Sequence, residues 1–361
     1  MDGITKAQTN VWGQCVATLT RALRVVISSW GQRVTLLVLI CIIMAFLEPR
    51  FFRVLNFQSI LLAIAVNGIM SCGMLLTVLV GGMDLSVGSM AGFAASTAFV
   101  VTQASGFSAG SFIIGFALAI ACCLVVGFLN GFFVTFFGLP AFVVTLAMKY
   151  LLLGMTYIVT QGFYIMPPPA SLASRVGNQV LLSIPIGDST FSVPVPAAVF
   201  VVVVAITAFV LVKTTYGRQL YAIGGNKNVA NLAGIKSDSR VQSAYMISSV
   251  MAGVGGILLA SMNSQAGQQT ALGYEGNVLM AMVVGGINLA GGEGGVGGAV
   301  FGALLVGLIN NAMLMLSISS DLQQFVRGVV ILAFMTLNIY TVRASKSLMS
   351  SGLGKQRDTQ D

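Results

Sequence analysis

The sequence predicts an all-α polytopic membrane protein with about ten transmembrane helices, and three observations support this fold class. Hydrophobic residues make up 57% of the 361-residue chain and charged residues only 8%, with a mean hydropathy of +0.94. Apolar runs of about 20 residues recur, each long enough to cross a hydrocarbon core roughly 30 Å thick. The 42 glycines suit close helix packing and helix breaks in lipid.

Ten apolar segments can be drawn, of which the eighth is short enough to be doubtful. They cover residues 33–47, 58–80, 88–104, 109–137, 140–160, 194–212, 241–262, 277–290, 297–316 and 323–341. The expected organisation is therefore a tail over 1–32, a transmembrane domain over 33–341 and a second tail over 342–361. The first 30 residues show no small-residue cleavage site after a short apolar core, so no removable signal peptide is expected.

Basic residues predict the orientation of the chain. Lys and Arg number four in the N-terminal tail through Arg33, five in the stretch 213–240 and four in the C-terminal tail, against three on the opposite face. The positive-inside bias places all three basic stretches in the cytosol, which requires six crossings and then four between them. The ten segments supply both numbers, so we expect a multi-pass protein with both termini in the cytoplasm.

Two pairs of similar stretches within the chain favour an inverted repeat of five plus five segments. VVGFLNG at 125–131, in segment four, is answered by LVGLINN at 305–311 in segment nine, so the two copies cross the membrane in opposite directions. VGGMDL at 80–85 resembles VGGINL at 284–289, but these follow segments two and eight. The second pair can therefore reflect shared glycine-rich turn chemistry alone.

The run GGMDLSVGSMAG, residues 81–92, is expected to break one helix and start the next. Its paired glycines end the second segment, and Asp84 or Ser86 can cap the third. Capping of bare N–H groups is the expected role of Asp84, and direct contact with a solute is the alternative.

The longest predicted outer connection, 161–193, is rich in proline. Four prolines lie within it and two follow it directly. Loops of this length are usually functional or disordered. A docking surface for an external partner and a simple tether both remain open for it.

The stretch 213–240, the longest charged run between the apolar segments, carries the signals of a short helix. Asn226 follows a Gly-Gly pair and is a natural N-cap, while Gly234 can end the helix in the left-handed conformation. The residues that fall on one apolar face are Val229, Leu232 and Ala233. A brief capped helix with such a face favours a site held by another protein, with an ordinary solvated loop as the alternative.

Polar side chains inside the apolar segments are candidates for a solute path. Amides suit a neutral hydroxylated solute because they donate and accept hydrogen bonds without charge, although they also join helices. Lys149 stands within the fifth segment, where a charge costs about 2.5 to 3.5 kcal/mol on insertion scales, so it should face protein or water. No acid stands at helical spacing from it, and no proton relay is predicted. The candidates for the path and its helix breaks are Asn67, Gly82, Asp84, Ser86, Gly88, Asn130, Lys149, Gly286, Asn288, Asn310 and Asn311.

The sequence argues against several other functions. Histidine is absent and the five cysteines show no metal spacing, so no metal site is expected. There is no phosphate-binding loop, so any ATPase must be another chain. A stand-alone ion-coupled carrier would need ionisable groups at mid-membrane helix breaks, and only Lys149 is available. A membrane enzyme would need clustered carboxylates, histidines or a Ser/Lys pair. No nucleic-acid partner is expected.

Four stretches together resemble the ribose-type sugar permeases of bacterial ATP-binding cassette importers, within the branched-chain amino acid/monosaccharide permease superfamily. They are GGMDLSVGSMAG, NGFFVTFFGLPAFVVTLAMKYLLLG, TTYGRQLYAIGGNKNVANLAGIK and GGINLAGGEGGVGGAVFGALLVGLINN. The resemblance covers about residues 34–340. The sequence departs from the pattern at Lys149, where an apolar residue is usual, and in its longer N-terminal tail. The first departure leaves the solute open.

This resemblance implies a transport subunit of the bacterial inner membrane that forms the path for a monosaccharide. The implied partners are a cytosolic ATP-binding cassette ATPase that binds the ATP, a second permease copy or paralogue, and an external solute-binding protein. Nucleosides, furanosyl signals and branched-chain amino acids are the alternative solutes. The loop helix Asn226–Ile235 would couple to the ATPase. The residues assigned to coupling are Gly217, Arg218, Gly224, Gly225, Asn226, Asn231, Ala233 and Gly234.

Overall fold

The computed structural model describes residues 29–186 and 189–336, and most of them are helical. The helices in chain order are α1 (Ser29–Leu47), α2 (Val54–Leu79), α3 (Val87–Ala104), α4 (Ala109–Phe136), α5 (Ala141–Thr160), α6 (Leu172–Asn178), α7 (Val195–Lys213), α8 (Thr215–Gly225), α9 (Lys227–Leu232), α10 (Ser237–Asn263), α11 (Tyr274–Val284), α12 (Val296–Met315) and α13 (320–336). A 3₁₀ turn over Pro49–Phe52 precedes α2. The predicted tails, apart from the start of α1, lie outside the described residues, as does the end of the tenth segment.

The prediction of an all-α polytopic membrane protein is confirmed, because each of the ten apolar segments falls on a helix. Within the described residues, seven helices are long and apolar enough to cross a membrane, namely α2, α3, α4, α5, α7, α10 and α12. The eighth segment was drawn over 277–290, but α11 begins at Tyr274 and ends at Val284. Its 11 residues reach only about 16 Å, roughly half of a hydrocarbon core.

The chain divides into two compact units. Of the described residues, one unit contains 29–47 and 328–336, and the other is Glu48–Arg327. All of the candidate functional residues lie in the larger unit.

Helix α10 is the centre of the larger unit and packs against α2, α3 and α4. Small residues allow this close approach. An added Cβ at Gly127 of α4 would lie 2.5 Å from Cα of Met246, and one at Gly131 would lie 2.6 Å from Cα of Gln242. The repeated sequence VVGFLNG thus supplies the two glycines at which α4 and α10 cross closely.

The helices of the larger unit differ in how deeply they are buried. In the most apolar 18 residues of α2 and of α3, 78% are buried within the chain, against 28% in α5 and in α7. We infer that α2 and α3 form the interior, while α5 and α7 present apolar faces to lipid or to another subunit.

The predicted outer connection contains α6 and an antiparallel hairpin of β1 (Val180–Ile186) and β2 (Ser189–Pro194). The sequence did not indicate the hairpin because Pro185 stands within β1, and proline argues against a strand interior. Ser261 of α10 fixes α6 in place, since its hydroxyl accepts the Gly177 N–H at 2.7 Å and donates to the Ala173 carbonyl. The predicted connection is therefore folded and held against α10.

Candidate functional site

Helix α9 has the caps that the sequence predicted. Asn226 Oδ1 accepts hydrogen bonds from two N–H groups of the first turn, at 3.0 and 3.1 Å. At the other end Gly234 has φ +80°, and the N–H of Ile235 donates to the carbonyl of Ala230 at 3.0 Å. This pattern is a Schellman motif, which favours glycine at its left-handed position. A helix of two turns is thereby defined at both ends.

One side of α9 is buried and the other is exposed. Ala230 is 3% exposed and lies in a small apolar cluster with Ile223 of α8 and Tyr245 of α10. By contrast, Val229 is 60% exposed and Leu232 88%. The apolar face predicted from the sequence is therefore exposed, while the buried side of α9 packs against α8 and α10.

Residues 215–225, expected to be part of a loop, form the helix α8. Thr214 is its N-cap, and its Oγ1 accepts the N–H of Gly217 at 3.3 Å. Leu220 and Ile223, three residues apart, are buried on one side. That spacing, together with the threonine cap, was the available signal. The paired glycines 224 and 225 end α8 and do not merely precede the cap of α9.

Polar contacts fasten α8 and α9 to the start of α10. Tyr216 Oη lies 2.9 Å from Ser243 Oγ, and the guanidinium of Arg240 lies 5.5 Å from the centre of the Tyr216 ring. Burial raises the pKa of the Tyr216 hydroxyl, so it stays protonated at physiological pH. Lys227 Nζ of α9 lies 2.9 Å from Asp238 Oδ1 of α10. These contacts join three helices of the stretch 213–240 into one piece.

Two glycine-rich breaks interrupt the helices, the first at residues 80–86 between α2 and α3 and the second at residues 285–295 between α11 and α12. The helices that precede them end with the same motif, placed one residue apart in the two similar sequences. After α2, the left-handed residue is Gly81, with φ +79°, and after α11 it is Gly286, with φ +66°. The N–H of Gly82 donates to the Thr77 carbonyl at 2.9 Å, and that of Ile287 to the Met282 carbonyl at 3.0 Å. The similarity of VGGMDL to VGGINL thus reflects a shared Schellman turn.

The end of α8 meets both breaks in a cluster that we call the glycine junction, formed by Gly81, Gly224, Gly291 and Gly292. The N–H of Gly292 donates to the carbonyl of Leu79 at 3.0 Å. A Cβ at Gly224 would collide with backbone atoms of both Leu79 and Gly292. Tyr221 Oη of α8 also donates to the Gly294 carbonyl at 2.9 Å. The stretch 213–240 therefore contacts both breaks directly.

Asp84 lies within the first break, at the centre of a buried polar network. Its Oδ1 accepts from the N–H and the hydroxyl of Ser86, at 3.0 and 2.5 Å, and its Oδ2 accepts from Ser248 Oγ at 2.8 Å. Asn130 Nδ2 of α4 donates to Ser86 Oγ at 3.1 Å. All four side chains are fully buried. The network joins α3, α4 and α10, and Asp84 satisfies an N–H at the start of α3.

Asp84→Ala is expected to destabilise the protein, because it leaves the buried N–H of Ser86 and the hydroxyl of Ser248 without an acceptor. Each orphaned group costs about 1 to 3 kcal/mol. Asp84→Asn keeps one acceptor oxygen and should cost less. Thermal unfolding of the purified protein in detergent measures the difference, and equal stability of wild type and Asp84→Ala would contradict this role.

Lys149 has an acidic partner that sequence spacing could not indicate. Its Nζ lies 2.7 Å from Oε1 of Glu275, at the start of α11. Gly88, in the first turn of α3, lies against the same carboxylate, since a Cβ there would collide with Glu275 Oε2. The structure thus brings together two of the predicted residues, Lys149 and Gly88, around one that was missed.

The remaining predicted residues lie elsewhere in the larger unit. Asn67 donates to the Ala63 carbonyl of its own helix at 3.0 Å, and Asn311 forms two reciprocal amide hydrogen bonds with Asn56. Asn288 folds the second break by accepting the Ala290 N–H at 3.0 Å. Gly82 lies against Tyr245 Oη, and the Oδ1 atom of Asn310 is buried without a hydrogen-bond partner in the part of the chain that the structure describes. Arg218, Gly225 and Asn231 are exposed.

Comparisons with known proteins add an independent result. The family described as "Branched-chain amino acid transport system / permease component" matches residues 56–335. The ribose import permease protein RbsC of Escherichia coli (strain K12) is 34% identical over 299 residues, covering 83% of this chain and 90% of the relative. The L-arabinose transport system permease protein AraH of the same strain is 32% identical over 322 residues, covering 88% and 94%.

A third relative has a different solute in its name. The autoinducer 2 import system permease protein LsrC of Yersinia pestis (strain Pestoides F) is 31% identical over 302 residues, covering 82% of this chain and 80% of the relative. No solved structure matches this chain.

Proposed function

Because this chain belongs to the family of branched-chain amino acid transport system permease components, we propose that it forms the path for a monosaccharide in an ATP-driven importer. The observation that carries the proposal is the similarity to ribose and arabinose permeases across more than four fifths of both chains. The chain is a transport subunit and not an enzyme.

The geometry of the stretch 213–240 supports coupling to an ATPase subunit. Val229 and Leu232 form an exposed apolar face. Ala230 of the same helix is buried in an apolar cluster with Tyr245 of α10. Through α8 the same piece contacts both glycine-rich breaks. A push on α9 would therefore reach the end of α2 and the connection between α11 and α12. We assign ATP to the partner subunit, and the permease itself needs no cofactor.

The exposed faces of α5 and α7 and the outer hairpin support the other proposed partners. A second permease copy or paralogue would cover part of the apolar surface of α5 and α7, and lipid of the bacterial inner membrane would cover the rest. The external solute-binding protein would dock on the outer side, where α6 and the hairpin provide a fixed surface.

A second candidate solute is a furanosyl signal, which the similarity to the autoinducer 2 permease favours. Uptake of labelled D-ribose, L-arabinose and autoinducer 2 in cells that lack the gene for this chain, and in the same cells complemented with it, distinguishes the candidates. Restored uptake of a pentose supports the proposal. Restored uptake of autoinducer 2 alone would replace the monosaccharide by the signal.

The proposed orientation places the exposed residue Lys236 in the cytosol. A single cysteine at this position, Lys236→Cys, in a variant without the native cysteines should react with a membrane-impermeant maleimide only after the cells are opened. Gln58→Cys, near the outer hairpin, is the matched outside control, since Gln58 Nε2 donates to the Thr190 carbonyl at 2.8 Å. Labelling of residue 236 in intact cells would contradict the orientation.

A further inference from the structure

The ion pair of Lys149 and Glu275 lies near the middle of the membrane. Lys149 stands eight residues after the start of α5 and eleven before its end, so about 12 Å and 16 Å from the two helix ends. Only 22% of its side chain and 13% of that of Glu275 are exposed. Glu275 belongs to the first turn of α11, which is too short to span the membrane. In transporters, short helices of this kind often begin beside the solute site.

Stability does not explain why this pair is present. Apolar residues of similar volume often replace a buried ion pair at no loss of stability. An ionisable side chain at mid-membrane is costly, and such groups usually mark the path of a transported species. The pair therefore points to a function in the path.

The pair also has hydrogen-bonding capacity left over. Glu275 uses Oε1 for Lys149, while its Oε2 is buried and has no hydrogen-bond partner among the described residues. Gly88 packs closely beside Oε2, and any side chain at this position would collide with the carboxylate. The ammonium group of Lys149 has three donors, and the carboxylate engages one of them. An acceptor and donors thus lie side by side.

We propose that Lys149 and Glu275 bind two adjacent hydroxyl groups of a neutral polyhydroxylated solute as it crosses the membrane. A hydroxyl can donate to Oε2 while its neighbour accepts from Nζ. The opposite charges cancel, so the pair favours a neutral solute over an ion. This inference rests on the proposed import of a monosaccharide and names the residues that recognise its hydroxyls.

The test compares two sugars that differ by one of the adjacent hydroxyls. ATP-driven uptake of D-ribose and of 2-deoxy-D-ribose is measured in vesicles containing the complete importer, for wild type and for Lys149→Met/Glu275→Gln. The double variant leaves no unpaired charge. Losing a hydrogen bond to a charged group should lower ribose uptake about tenfold and deoxyribose uptake less. The same binding protein delivers the sugars to the wild-type permease and to the double variant. A change in the ratio of ribose uptake to deoxyribose uptake therefore measures the contribution of Lys149 and Glu275.

The matched control removes an ion pair outside the membrane. Glu48 and Arg50, 3.8 Å apart, are replaced in Glu48→Gln/Arg50→Met, which should keep wild-type uptake and ratio. Glu275→Asp is a milder variant that keeps the charge but withdraws the carboxylate by one methylene, and it should also lower the ratio.

An unchanged ratio in the double variant overturns the inference. If the double variant fails to insert, an unchanged ratio in Glu275→Asp overturns it instead. If the wild-type importer takes up L-arabinose and not D-ribose, the same comparison is made between L-arabinose and 2-deoxy-L-ribose, which lacks its 2-hydroxyl. Uptake of none of these pentoses by the wild-type importer would contradict the proposed function itself, and with it this inference.

Discussion

We expect Gly224→Ala to abolish most sugar uptake and to lower the thermal stability of the protein. The added methyl would collide with backbone atoms of Leu79 and Gly292, which cannot rotate away as a flexible side chain could. Overpacking of this kind typically costs about 1 to 3 kcal/mol. Because Gly224 joins α8 to both breaks, the strain falls on the connection that we assign to coupling.

Gly154→Ala is the matched control for this prediction. It makes the same change in another helix, at an exposed glycine where an added Cβ meets nothing within 4 Å. Both variants are compared for inserted amount, thermal unfolding in detergent and ATP-driven uptake. Wild-type values of stability and uptake in Gly224→Ala would show that the glycine junction is not tightly packed.

Ala233→Asp should abolish binding of the ATPase subunit while the protein still inserts. Ala233 is exposed at the end of α9, on the same side as Leu232, so a carboxylate there would be buried without a partner when the ATPase docks. An uncompensated buried charge costs about 3 kcal/mol or more, which weakens binding about hundredfold. Gly234→Val should also reduce uptake, because valine strains the φ of +80°.

The control for Ala233→Asp introduces the same charge nearby but outside α9. Ser239→Asp lies in the exposed first turn of α10, where a negative charge suits the helix N-terminus. Neutralising the exposed Lys236 should also have little effect, since surface charges in salt couple weakly. ATPase binding and sugar uptake are measured in the same vesicles. Wild-type values for Ala233→Asp would mean that 226–234 is only a solvated loop.

The ten helices that fall on apolar segments, and the caps of α9, could be predicted because each depends on local sequence. Apolar runs determine which segments enter lipid, and Asn226 and Gly234 act on backbone groups within a few residues of themselves. The doubtful eighth segment is a real helix, shifted toward its N-terminus because Gly285 and Gly286 end it early.

The contacts that assemble the candidate site could not be predicted, because they join distant parts of the chain. Glu275 meets Lys149 only through the packing of α11 against its neighbours. The glycine junction likewise combines residues from three separate stretches, and glycine carries no signal of its partner. The outer hairpin was obscured by Pro185, whose missing N–H is tolerated at the edge of a two-stranded sheet.

The most direct test of the central claim is sugar accumulation in proteoliposomes made from purified components. The permease is reconstituted with its ATPase subunit and ATP inside, and the external binding protein loaded with D-ribose or L-arabinose is added outside. We predict that one of these sugars accumulates, that accumulation stops with a non-hydrolysable ATP analogue, and that the permease alone hydrolyses no ATP. Accumulation driven by an ion gradient without the ATPase would contradict the account.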